Sequence, residues 1–124
     1  MSETTTPTNW GISAELRGQQ RSLSIQAGTY PGKGRPALLM WNEDDELFCE
    51  ITINAPHILL WDDSTQLILH PDLRRDVITL LEESGLIEDV PAMDVKLGMA
   101  TTWVYDLTED GAAWFLNNST HTEN

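Results

Sequence analysis

Ile12-Ser13-Ala14-Glu15-Leu16, a break at Gly18-Gln19, then Ser22-Leu23-Ser24-Ile25-Gln26-Ala27 is the stretch on which the fold turns. Ile12, Ala14 and Leu16 fall on one side of an extended chain, with Ser13 and Glu15 on the other. Leu23, Ile25 and Ala27 repeat the pattern against Ser22, Ser24 and Gln26. A period of two marks a half-buried strand, so two such runs about a glycine read as a β-hairpin.

Working downstream, Gly28, Pro31, Gly32 and Gly34 crowd a segment that reads as a loop, because glycine and proline punctuate turns. Pro36 to Trp41 is an apolar run too short for a helix. Leu47 to Asn54 alternates, setting Leu47, Cys49, Ile51 and Ile53 against Phe48, Glu50, Thr52 and Asn54. The polar Asn42-Glu43-Asp44-Asp45-Glu46 joins them as the tip of a second hairpin, solvated because neighbouring carboxylates resist burial together. Pro56 ends that strand. His57 to Trp61 and Gln66 to Leu69 are short apolar runs around an Asp62-Asp63-Ser64 turn.

The residues from Pro71 to Ser84 carry the one long helical pattern. Leu73, Val77, Leu80 and Leu81 form a stripe flanked by Ile78, proline suits the first turn, and Gly85 suits a left-handed cap with Leu86 folding back beyond it. Pro91 and Gly98 then mark a loop, Thr101 to Leu107 alternates as a last strand, and Ala112 to Leu116 fits a short terminal helix. The expected architecture is α+β: an antiparallel sheet of five or six strands, with one helix over about 71–84 packed on one face. Residues 10–116 are expected to form a single domain, between polar, disordered tails at 1–9 and 117–124.

Composition narrows the function classes. One cysteine, Cys49, excludes an intramolecular disulfide and any cysteine-rich metal site within the chain. No apolar run is long enough to span a bilayer and the first residues lack a signal-peptide pattern, so the expected location is cytoplasmic. Twenty acidic residues against seven basic give a net charge of −13. Such a chain is repelled by nucleic acid and by anionic membranes. Nearly all of the excess lies between residues 43 and 110, where 17 acids face Arg74, Arg75 and Lys96.

The middle of the chain resembles an uncharacterised family of small domains carried by plasmids, conjugative elements and phages of Gram-positive bacteria. The matching stretches are Thr29-Tyr30 with Gly34-Arg35-Pro36-Ala37-Leu38, Leu47-Phe48 leading to Ile51-Thr52-Ile53-Asn54-Ala55-Pro56, Leu80-Leu81-Glu82-Glu83-Ser84-Gly85-Leu86-Ile87-Glu88, and the last strand to Leu107. The resemblance covers roughly residues 23 to 107 and rests on strands, a cap and turns. It implies an accessory role on a mobile element and carries over no catalytic residue or cofactor.

Three functions follow as expectations. The first is a non-enzymatic acidic binding protein, an inhibitor of the anti-CRISPR or anti-restriction type. Glu43, Asp44, Asp45, Glu46, Asp62, Asp63, Asp72, Asp76, Glu82 and Glu83 would imitate a phosphate backbone and occupy a basic nucleic-acid-binding protein. Acidity kept for solubility explains the same composition. The second is a metal-dependent hydrolase built on His57, Asp62, Asp63 and His70, although their spacing matches no known ligand pattern and a polar turn explains them equally. The third is a structural or assembly module with apolar contacts. Trp41 and Trp61, each beside an acidic turn, are either interface anchors of the acidic surface or the edge of the core. Cys49 alternates with Leu47 and Ile51 and so reads as a small buried hydrophobe rather than a nucleophile. Lys33-Gly34-Arg35 is too short for a nucleic-acid patch, and the glycines beside it offer no phosphate loop.

Overall fold

The computed structural model describes residues 9–119, and in it the alternating stretches become strands. In chain order the elements are β1 (Trp10–Leu16), β2 (Gln19–Thr29), β3 (Pro36–Trp41), β4 (Leu47–Glu50), β5 (Gln66–Ile68), α1 (Arg75–Glu83), β6 (Met93–Leu97), β7 (Ala100–Asp106) and α2 (Glu109–Asn118). The α+β class stands, but one sheet of five or six strands with one helix becomes two antiparallel sheets with two helices. The first sheet runs β1-β2-β3-β4 and the second β5-β7-β6. A single bridge between Thr52 and Leu69 links them.

The first hairpin closes through Arg17 and Gly18, both at positive φ (53° and 79°), with Leu16 opposite Gln19. That pair of left-handed residues makes a two-residue turn whose twist matches the strands. Leu23, Ile25 and Ala27 are buried as the alternation requires. Gly28, read as a turn residue, instead sits inside β2 opposite Ala37.

The second hairpin keeps its tip but not its faces. Met40 pairs with Cys49 and Trp41 with Leu47, so Phe48 is an extra residue. A bulge of this kind flips the pattern beyond it. Leu47 therefore turns out to solvent, while Phe48 and Cys49 both pack against the core.

The helix starts at Arg75, four residues beyond Pro71. The Leu73 amide donates to the His70 carbonyl and the Asp72 amide to His70 Nδ1, so residues 70–73 form a separate turn. Arg74 follows as an extended N-cap. Val77, Ile78 and Leu81 are buried, and Leu86 folds back beneath Gly85, whose φ is +85°. Trp10 Nε1 donates to Ser84 Oγ at 3.1 Å, and Arg17 lies close enough to Asp76 to act on its carboxyl. Helix α1 thus runs antiparallel to β1, with its N-terminal end at the β1–β2 turn.

Residues 93–97, expected as loop, form β6 and pair with β7 through a tight turn in which Gly98 has φ +65°. The terminal helix extends to Asn118 with Ser119 as its C-cap, which moves the helix end past position 117, where the tail was expected to begin. The rest of that tail, and residues 1–8 of the other, lie outside the described residues. The main core draws on both sheets and both helices, with Ile25, Met40, Ile51, Leu67, Leu81 and Leu86 at 0% exposure. Each such side chain contributes about 1.5–3 kcal/mol by leaving water. No helix among the described residues is long and apolar enough to cross a membrane.

Candidate functional site

The four carboxylates of the β3–β4 tip are exposed, as their density demands. Asn42 organises the tip: its Oδ1 accepts the amides of Asp44 and Glu46, both at 2.9 Å, while Asp45 takes a positive φ of 61°. Arg21 Nη1 reaches Glu43 Oε1 at 3.2 Å. The Glu43 carboxyl is held below its ordinary pKa by its own backbone amide first, and by Arg21 after that.

Asp72 and Asp76 lie toward the same end of the first sheet, because residues 72–74 pack beside Phe48 and Cys49. Asp76 is paired with the Arg74 guanidinium, which lowers its pKa. Arg17, Arg21 and Arg74 lie at this end and offset about half of its six carboxylates, with Glu43 and Asp76 directly paired.

Asp62 and Asp63 are elsewhere. Arg35 precedes β3 and the acidic tip follows it, so a six-residue strand of about 20 Å separates them. Arg35 is 4% exposed and donates to Asp63 Oδ1 at 2.8 Å, the Ala55 carbonyl at 2.9 Å and the Ile58 carbonyl at 2.5 Å. One buried guanidinium therefore pins the whole 55–63 segment. Asp62 Oδ1 accepts the Ser64 hydroxyl at 2.7 Å and its amide at 2.9 Å, and these bonds lower its pKa.

The densest acidic surface is the junction of the two helices. Thr108 Oγ1 donates to the Gly85 carbonyl at 2.5 Å and accepts the Gly111 amide at 2.9 Å, clamping the end of α1 to the start of α2. Ile87 bridges to Leu107, and the Glu88 amide donates to the Asp106 carbonyl. Glu82 and Glu83 are thereby joined by Glu88, Asp89, Glu109 and Asp110, while the Asp106 carboxylate accepts the Gln66 side-chain amide at 2.9 Å across the second sheet. Residues 76–95 and 97–124 contain no Lys or Arg. Glu83, Glu88, Asp89, Glu109 and Asp110 are exposed, while Glu82 accepts the Tyr105 hydroxyl at 2.8 Å. Desolvation, followed by that hydrogen bond, raises the Tyr105 pKa. Glu109 and Asp110 went unmarked in the sequence because the contact that gathers them is long-range.

The His57, Asp62, Asp63 and His70 set is not assembled. Asp63 belongs to Arg35, and His70 lies beyond the far end of β5, with Nε2 at 3.8 Å from Glu50 Oε1. No group of three or more His, Cys, Asp or Glu side chains among the described residues is placed to hold a metal ion.

A second concavity, invisible in the sequence, opens on the face of the first sheet turned away from the core. It is a groove of about 590 Å³ over Gly28, Ala37 and Leu39, with Tyr30, Glu50 and His70 on its walls. No family model, curated protein or solved structure matches the chain. The two tryptophans beside acidic turns part company. Trp41 is half-buried and donates to Gln26 Oε1 at 3.0 Å, whereas Trp61 is 82% exposed on the pinned 55–63 segment next to Leu59, also 82% exposed.

Proposed function

We propose that the protein is a non-enzymatic acidic binding protein that occupies the basic nucleic-acid-binding surface of another protein by charge mimicry. The observation that carries this reading is the helix junction. Glu83, Glu88, Asp89, Glu109 and Asp110 are exposed there on segments without a single Lys or Arg. Carboxylates held by packed helix ends form a fixed negative surface, which steers a cationic groove into contact and excludes the polyanion that would otherwise fill it. The resemblance of residues 23 to 107 to a mobile-element family makes a host defence nuclease the natural class of partner, in the cytoplasm.

The test is capture from host lysate at low salt, elution along a salt gradient, and competition with DNA. Recovery of a nucleic-acid-binding protein displaced by both supports the proposal. The combined variant Glu83→Gln, Glu88→Gln, Asp89→Asn should lose about tenfold or more in affinity. Neutralising Glu43, Asp44, Asp45 and Glu46 should cost less, because Arg17, Arg21 and Arg74 offset part of the charge at that end. A partner that binds equally at low and high salt would refute charge mimicry and favour the apolar assembly module, for which exposed Leu59 and Trp61 are the anchors.

A further inference from the structure

The groove on the outer face of the first sheet has a floor of unusual composition. Rows of directly opposed residues cross the sheet there: Gly28 faces Ala37, and Gln26 faces Leu39, which faces Glu50. The smallest side chains, at Gly28 and Ala37, line the groove together with Leu39 and Tyr30. Glycine inside a strand weakens it, and it persists where another group must come close to the backbone. Nothing within the fold explains Gly28. A Cβ placed there would meet only the Ala37 carbonyl, at an ordinary 3.8 Å, and its φ is not in the left-handed region. The space above it is therefore open to an occupant from outside.

The walls define that occupant. The Tyr30 hydroxyl is engaged with Thr52 Oγ1 at 2.9 Å. His70 Nδ1 accepts the Asp72 amide at 3.1 Å, which holds the ring at the edge of the groove. Its Nε2 is 3.8 Å from Glu50, too far for a hydrogen bond, which leaves the Glu50 carboxylate free to accept from a ligand. One exposed carboxylate beside an apolar floor, on a chain of net charge −13, disfavours anions and suits a cation on an aliphatic stem. A planar guanidinium fits both the carboxylate fork and the tyrosine face. The groove crosses β2, β3 and β4, at about 4.8 Å per strand step, which is roughly the span of three extended residues. A volume near 590 Å³ accommodates them.

We infer that this groove receives an arginine-bearing extended segment of the partner protein, its stem over Gly28 and Ala37 and its guanidinium on Glu50. The inference rests on the reading that the partner is basic. It adds a specific contact on a different face from the acidic helix junction.

The probe is the tripeptide acetyl-Leu-Arg-Leu-amide, titrated at low salt into the full chain with backbone amide shifts recorded by NMR. Saturating shifts at Gly28, Ala37 and Leu39 are expected, with about tenfold weaker binding for the citrulline peptide and for Glu50→Gln. Gly28→Val fills the floor without a backbone clash and suits a strand, so it should abolish binding with a melting temperature equal to or above that of the parent. Shifts confined to residues 42–46 or 82–89, unchanged in Gly28→Val, would overturn the groove while leaving the acidic-surface proposal standing. Absence of any shift at millimolar peptide would also overturn it, and the lysate capture judges the acidic surface separately. Equal affinity of a lysine peptide would overturn the preference for a guanidinium.

Discussion

At the scale of single residues, Arg35 does more than any other charged side chain. It sits inside a Lys-Gly-Arg triplet that reads as turn, yet it is buried and makes three hydrogen bonds that span 20 or more residues. Arg35→Ala would strand the Ala55 and Ile58 carbonyls and release Asp63, so unfolding in urea should show a loss of about 3 kcal/mol. Limited proteolysis should then cut first within 55–63. No local pattern announces such a residue, because its partners are set by how β3 meets a distant loop. Cys49 was legible in part: the alternating run sets it on the core side, where it packs half-buried, but the bulge turns Leu47 of the same run to solvent. Desolvation pushes its thiol up to about 11. At pH 8 only about one molecule in a thousand carries the thiolate, and native protein should resist iodoacetamide until urea exposes the side chain. The sign for stability follows. A group whose folded pKa lies above its unfolded value of 9.0 favours the fold below that value and withdraws the support as pH climbs toward 11, so urea midpoints should fall across that interval.

Elements were legible where one period dominated. The first hairpin was plain because alternation and a turn glycine agree. Strand β6 was hidden although Met93, Val95 and Leu97 alternate with Asp94 and Lys96, because Pro91 and Gly98 bound the segment as breakers. The bulge at Phe48 could not be read, since an extra residue leaves the alternation itself intact and changes only which face it serves. Helix α1 began late because the proline that suits a first turn here opens a separate turn capped by His70. Two substitutions separate the roles of glycine in these helices. Gly85→Ala must hold φ +85° with a side chain and should cost about 1 kcal/mol. Gly111→Ala would set its Cβ 2.2 Å from the Leu86 carbonyl, forcing α2 away from the end of α1. A loss of about 2–4 kcal/mol by thermal denaturation is expected there, with Thr108→Val weakening the same clamp by about 1–2 kcal/mol.

For the molecule as a whole, the net charge of −13 opposes compaction, and uncompensated carboxylates concentrate at the helix junction. Screening that repulsion should raise the melting temperature by several degrees between 20 mM and 500 mM sodium chloride, as about a threefold or greater shortening of the Debye length implies. A melting temperature that falls with salt would mean that the ion pairs of Arg21, Arg35 and Arg74 outweigh the repulsion. The overall acidity was visible in composition, but its division between an arginine-bearing tip and the helix junction depends on strand order and helix direction. One feature of the assembled chain reaches beyond stability. Trp10, at the start of β1, meets Trp114 of α2 edge to face, with ring centres 5.6 Å apart. The first and last elements are therefore neighbours, and a short linker between them would let the polypeptide be reopened at Gly98-Met99 as a circular permutant. Its two new ends would emerge from the β6–β7 turn, at the opposite end of β7 from the helix junction, so a fluorophore or surface tether could be attached there clear of that junction.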